Sequence, residues 1–327
     1  MKHYARAGVL VATLAGLAAA WWAFGRAGLA GVAAVAARLG VGGFALFCLW
    51  ALGTFALLGA AWLAAAPGEG PARLWLFGWA RMVREAVSDL LPFSQLGGIV
   101  VSARTLGHGG VPIPIVWGSL LADLVTEMAS QVALTLLGLA LMVSILAGPG
   151  AGSGELRPLV VGGVALMVAI TAGFFFAQRH GLALLGRLAA KLLPGSVASM
   201  AQIEGARAHV FSRPRRIAAA FVLNLLAWTA TVGGVWLALR LMGAPLSFGR
   251  TLSLEVMIFT LRSVAFAVPG AIGFQEAGYT LAAPLLGLPV EAALALSLAK
   301  RARDVAIGLP SLLVWQLSEA RAIVSRQ

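Results

Sequence analysis

The sequence predicts an all-α polytopic membrane protein, with about six transmembrane helices plus two re-entrant broken-helix segments in an inverted repeat. Three observations predict it. Of 327 residues, 60% are hydrophobic and 11% charged, with a mean hydropathy of +0.93. A soluble domain carries about 25% charged residues, and apolar surface in this excess needs lipid as its solvent. Several runs reach the ~20 apolar residues that a spanning helix requires. Two further apolar stretches are interrupted by charge, proline and glycine, around Pro92 and Pro269.

The elements follow in chain order. Ala7–Gly25 is the first charge-free run. Lys2, His3 and Arg6 precede it, as they would in a signal peptide, but the run is long for one and suits a retained anchor. Leu39–Gly68, Met128–Ala147, Pro158–Gln178 and Ile217–Leu239 are clean spans. Arg73–Leu106 carries Arg81, Arg84, Glu85 and Asp89 and then Leu-Pro-Phe-Ser-Gln-Leu-Gly-Gly at 91–98. Leu252–Leu288 carries Glu255 and Arg262 and then Val-Pro-Gly-Ala-Ile-Gly-Phe-Gln-Glu at 268–276. Proline removes a backbone donor and clashes with the preceding turn, so neither stretch reads as one straight span. In lipid such breaks persist only where protein or a wet cavity satisfies the backbone. Two helix–break–helix segments are the economical reading. Val290–Ser318 is the last span, with Lys300, Arg301, Arg303 and Asp304 near its middle and Pro310 beyond them.

The net charge of +12 lies mostly in short loops, the pattern of cytoplasmic loops facing anionic lipid. With a cytoplasmic N-terminus, the inside segments hold fifteen Lys and Arg, seven of them in the loop 178–216, and the outside segments hold five. The whole of 1–327 is expected to form one integral membrane domain. Within it, a repeat at about 39–147 starts outside and a repeat at about 217–318 starts inside. Each contains a span, a broken segment and a charged helix, and the intervals Pro92 to Val111 and Pro269 to Pro289 are 19 and 20 residues. Interrupted segments at corresponding positions of two halves point to a binding site in a transporter.

Charge at membrane depth costs at least about 2.5 kcal/mol per residue and needs a partner. Asp123 and Glu127 share a helix face at i, i+4, as do Lys300 and Asp304. Arg301 and Arg303 can meet Asp123, Glu127 or an anionic head group, or the whole set can be a structural bridge between repeats. Arg84 and Arg262 each stand one to two turns before a break. Either can grip a phosphate or carboxylate bidentately, cap exposed carbonyls, or snorkel. Ser94 and Gln95 at the first break, with Gln275 and Glu276 at the second, can bind a lipid head or satisfy freed backbone.

Other functions find no support. A basic helix or aromatic platform for nucleic acid is missing, as are His-Glu-x-x-His, a Walker loop and a nucleophile elbow. Cys48 is the chain's single cysteine and reads as a buried structural thiol. The four histidines have no metal-ligand spacing, so no metal and no cofactor is expected.

Taken together, the two Pro/Gly motifs and the basic loop between them resemble the transmembrane domain of lysylphosphatidylglycerol synthases, over essentially the whole chain. Within that family the chain is similar to stand-alone members associated with hopanoid biosynthesis. The resemblance implies lipid transport or flipping in the bacterial inner membrane, and it puts the family's motif on Pro92, Gly97, Gly98, Pro269, Gly270, Gly273 and Glu276. Aminoacyl-phospholipid synthases carry a large soluble catalytic domain after the membrane part, whereas this chain ends nine residues after its last span. Synthase activity is therefore not expected. The favoured cargo is a hopanoid, with an aminoacyl-phospholipid or a polyprenyl-phosphate lipid as alternatives and a head-group-modifying enzyme as the rival class. Expected partners are membrane lipids, hopanoid or phospholipid. A homodimer and lipid-biosynthesis or export machinery stay open, and both termini are expected in the cytoplasm.

Overall fold

A computed structural model describes residues 14, 17–90, 95–146, 205, 208–264 and 268–324. The expected span Pro158–Gln178, most of the loop 178–216, and Pro92 and Ser94 lie outside the described residues. Among the described residues the chain is α-helix and short 3-10 turns, without strands. A helix satisfies its own backbone polar groups, as hydrocarbon demands. The protein is an all-α membrane protein.

Helix α1 covers residues 17–27 and α2 Leu29–Ala65. Gly40, at φ 61 and ψ 173, interrupts α2, so the expected start at Leu39 coincides with a break inside a longer helix. The 25 residues that follow it extend about 37 Å, enough to cross a ~30 Å hydrocarbon core. Helix α3 is Leu74–Leu90, α4 Gln95–His108, α5 Ile113–Leu146 and α6 Pro214–Leu241. Among the described residues α2, α5 and α6 are long and apolar enough to cross a membrane. Helix α5 starts well before the expected Met128. Asp123 and Glu127 end the apolar run in sequence, but Arg81 and Arg84 compensate them and the helix passes straight through.

The remaining helices are α7 (Phe248–Val264), α8 (Phe274–Ala282) and α9 (Val290–Val324). Helix α9 contains Pro310 and continues past the expected end at Ser318. Helices α3 and α4 form an antiparallel hairpin, with Gly98 against Arg84 and Ser88, and Gly109 against Leu76. At 17 and 14 residues they reach about 26 and 21 Å, short of a full crossing. Helices α7 and α8 form a second hairpin, with Gly278 against Ile258 and Leu261. At its bend Gly270, Ala271 and Gly273 have φ of 54, 48 and 82. Glycine takes the left-handed region freely, whereas Ala271 pays about 1–2 kcal/mol for it.

The chain forms two compact units. The first holds α1, α2 to Phe47, α5 from Val132, α6 from Thr231, α7, α8 and α9 to Ala302. Its core includes Phe47, Leu239, Met242, Ile258, Tyr279 and Leu286. The second holds α2 from Cys48, α3, α4, α5 to Gln131, α6 to Ala230 and α9 from Arg303. There the Trp62 ring stands edge-on to Phe77 at 5.7 Å and its N–H donates to Ser119 Oγ at 3.1 Å. Each unit draws on both segments 39–147 and 217–318. Large apolar side chains, among them Val41, Leu49, Leu136, Leu226 and Leu317, are exposed along the long helices, a surface that fits lipid and not water.

Candidate functional site

In the second unit the site grows from α3. Its buried stripe of Phe77, Ala80, Val83 and Val87 also includes Arg81, which has no exposed surface. A buried guanidinium is tolerable only when paired. Arg81 donates to Asp123 Oδ2 at 3.0 Å and grips both oxygens of Glu127, through Nη1 at 2.9 Å and through Nη2. Its fourth-residue neighbour Glu85 lies 3.2 Å from Nη2. One turn on, Arg84 repeats the pattern, reaching Asp123 Oδ2 at 3.3 Å and Glu127 Oε2 at 3.1 Å. The planar fork of arginine suits this double capture of two carboxylates spaced one turn apart. From α6, Asn224 donates to Asp123 Oδ1 at 3.4 Å and Thr126 Oγ1 at 3.1 Å. Three carboxylates thus face two guanidiniums. Two buried atoms in the cluster, Arg81 Nε and Asn224 Oδ1, lack partners among the described residues.

In the first unit the site is built on the bend between α7 and α8. Glu276 stands in the first turn of α8, where a carboxylate favours the exposed amides. Its Oε2 accepts from Gly273 N at 2.6 Å and Arg301 Nη2 at 3.1 Å, and its Oε1 from Ser297 Oγ at 2.7 Å and Arg301 Nε at 2.8 Å. Arg301 also donates to Gly270 O at 3.2 Å, and Gln275 Nε2 donates to Ser297 Oγ at 2.7 Å. A second pair lies alongside. Lys300 Nζ donates to Glu255 Oε2 at 2.6 Å and to Tyr279 Oη at 3.0 Å, while the Tyr279 hydroxyl donates to Glu255 Oε1. Both pairs are charge-balanced and largely buried.

The structure therefore brings Arg84, Asp123 and Glu127 together in one unit, and Gly270, Gly273, Gln275, Glu276 and Arg301 together in the other. Gly97 and Gly98 lie in the first turns of α4, Gly98 packed on Arg84. Gln95 opens α4, and Pro269 opens the 3-10 turn of the bend. Arg262 is half-buried in the last turn of α7. Asp304 is held by the adjacent Arg303 at 2.7 Å. Both line a groove with Phe55, Met82, Glu85 and Asp89, which sets charged groups beside apolar walls. Sequence reasoning left Arg81, Asn224, Tyr279 and Ser297 out of the site. Arg81 carried a usable signal, since it stands three residues from Arg84 and four from Glu85. So did Asn224, the chain's single asparagine, set within an apolar run.

Comparison with known proteins supplies the family. The model described as the lysylphosphatidylglycerol synthase TM region matches residues 7–310, a stretch that takes in both hairpins and both ion-paired clusters. No curated protein and no solved structure gives a significant match. The function is accordingly one connected with membrane lipids, and the chain belongs to the family of lysylphosphatidylglycerol synthase transmembrane regions.

Proposed function

We propose that the chain is a lipid transporter that moves a lipid between the leaflets of the bacterial inner membrane, and that it performs no catalysis. The observation that carries this reading is the pair of helical hairpins. Each belongs to its own unit, pairs two helices from either side of a Pro/Gly-containing motif, and has a buried polar cluster beside it. Broken helices of this kind form substrate sites in secondary transporters. The family match supports lipid as the cargo. The groove at Glu85, Asp89, Arg303 and Asp304 offers charge and apolar wall together, the two chemistries met at a lipid's head–tail junction. The buried carboxylates Glu127, Glu255 and Glu276 are each tied to a cation, which suits positioning better than acid–base catalysis. A hopanoid or related lipid is the favoured cargo, and both termini face the cytoplasm.

Purified full-length protein in liposomes tests the reading. A fluorescent phospholipid on the inner leaflet is expected to become accessible to an added membrane-impermeant quencher, and a labelled hopanoid likewise. Quenching no deeper than in empty vesicles for both probes, with and without ion gradients, would sink the proposal. Lipid mass spectrometry of a deletion strain separates the rival class. Unchanged lipids in the wrong membrane fit transport, and altered head groups fit an enzyme.

A further inference from the structure

The cluster around Asp123 has one more carboxylate than guanidiniums. Among the described residues, these groups face it. From α3 come Arg81 and Arg84, with Glu85 behind Arg81; α5 supplies Glu127, and α6 the neutral Asn224. Asp123 and Glu127 are matched by the two guanidiniums, and the third carboxylate, Glu85, stands at the exposed edge. The three carboxylates differ as acceptors. Glu127 has both oxygens committed to guanidinium forks. Glu85 keeps 27% of its side chain exposed and so remains hydrated. Asp123 is fully buried, and among the described residues its Oδ1 receives only the long 3.4 Å contact from Asn224.

The second observation is Asn224 itself. It is 0% exposed, its amide faces Asp123, and its Oδ1 is a buried acceptor without a donor, an arrangement that normally costs about 1–3 kcal/mol. Turning the amide over presents that oxygen to Asp123 Oδ1. A proton there would donate to it and satisfy the orphaned acceptor, while the Nδ2 bond to Thr126 Oγ1 is given up. The groove supplies a way in, since Glu85 lines it and Arg81 joins Glu85 to Asp123.

From this geometry we propose that Asp123 is an exchangeable proton site, with Asn224 as the acceptor of its protonated form. The step is simple: a proton leaves a hydronium ion and bonds to Oδ1, and water is released. Resting on the transport reading above, this proton is the coupling ion for lipid movement.

Infrared difference spectra of the full chain in lipid bilayers, between about pH 8 and about pH 5, test the site. A protonated-carboxyl band is expected to grow in on acidification, shift in heavy water, and vanish in Asp123→Asn. In Asn224→Val, which keeps every charge, the same band is expected to move in frequency through loss of its hydrogen-bond acceptor. A wild-type spectrum without any such band overturns the proposal whether or not Asp123→Asn folds. So does a band that survives in Asp123→Asn or stays unmoved in Asn224→Val. In vesicles that move labelled phospholipid, a pH gradient is expected to change the rate several-fold in wild type and to leave Asp123→Asn indifferent. A wild-type rate insensitive to the gradient overturns the coupling alone. Absence of lipid movement is a failure of the transport reading, and the infrared result still decides the proton site.

Discussion

A guanidinium without exposed surface must find its counter-charges inside the protein, and Arg81 finds them 42 and 46 residues along the chain, at Asp123 and Glu127. Removing it leaves two buried carboxylates to Arg84 alone. Arg81→Met is therefore expected to cost about 3–5 kcal/mol, read as a large drop in the thermal midpoint in detergent. Arg81→Lys keeps the charge but loses the fork and should fall between. At Glu276 the test is a double-mutant cycle. Glu276→Ala and Arg301→Ala are expected to couple by about 1–3 kcal/mol, and additive effects would deny the pair any energetic role. These partnerships were only partly legible in the sequence. The need for partners followed from burying charge in an apolar chain, and Asp123, Glu127, Glu276 and Arg301 stood out for that reason. Their actual partners did not, because spacing along a helix sees neighbours four residues away, whereas Lys300 reaches Glu255 across 45.

At the scale of elements, α2 and α3 cross where neither has a side chain. A Cβ built on Gly59 would sit 2.5 Å from both the N and the Cα of Gly78, whereas one built on Gly78 would meet nothing closer than 3.9 Å. Backbone cannot give way as a flexible side chain does. Gly59→Ala is expected to destabilise by about 1–3 kcal/mol, and Gly78→Ala to be nearly silent; equal effects in a thermal-shift assay would contradict this crossing. Breaks were easier to read than extents. Proline and glycine mark local backbone, so the end of α3 and the bend after α7 were visible at Leu91–Gly98 and Val268–Glu276. Helix ends were not, since Asp123 and Glu127 look like a terminus until their arginines are known.

The molecule as a whole is legible first through composition, which demands lipid contact, and then through its basic residues, whose bias carries the orientation we propose. The orientation we propose predicts that Arg326→Cys, placed in a Cys48→Ser background, reacts with an impermeant maleimide only after the cell membrane is opened. Labelling of intact spheroplasts would reverse the topology. Movement is constrained as well. Lys300 and Arg301 are consecutive on α9, yet Lys300 holds Glu255 on α7 and Tyr279 on α8, while Arg301 holds Glu276 on α8 and the Gly270 carbonyl in the bend. One turn of α9 thus clasps both arms of the hairpin and its tip. The hairpin is no free flap: if it swings during a transport cycle, it must either take that turn of α9 along or break two ion pairs at the same step.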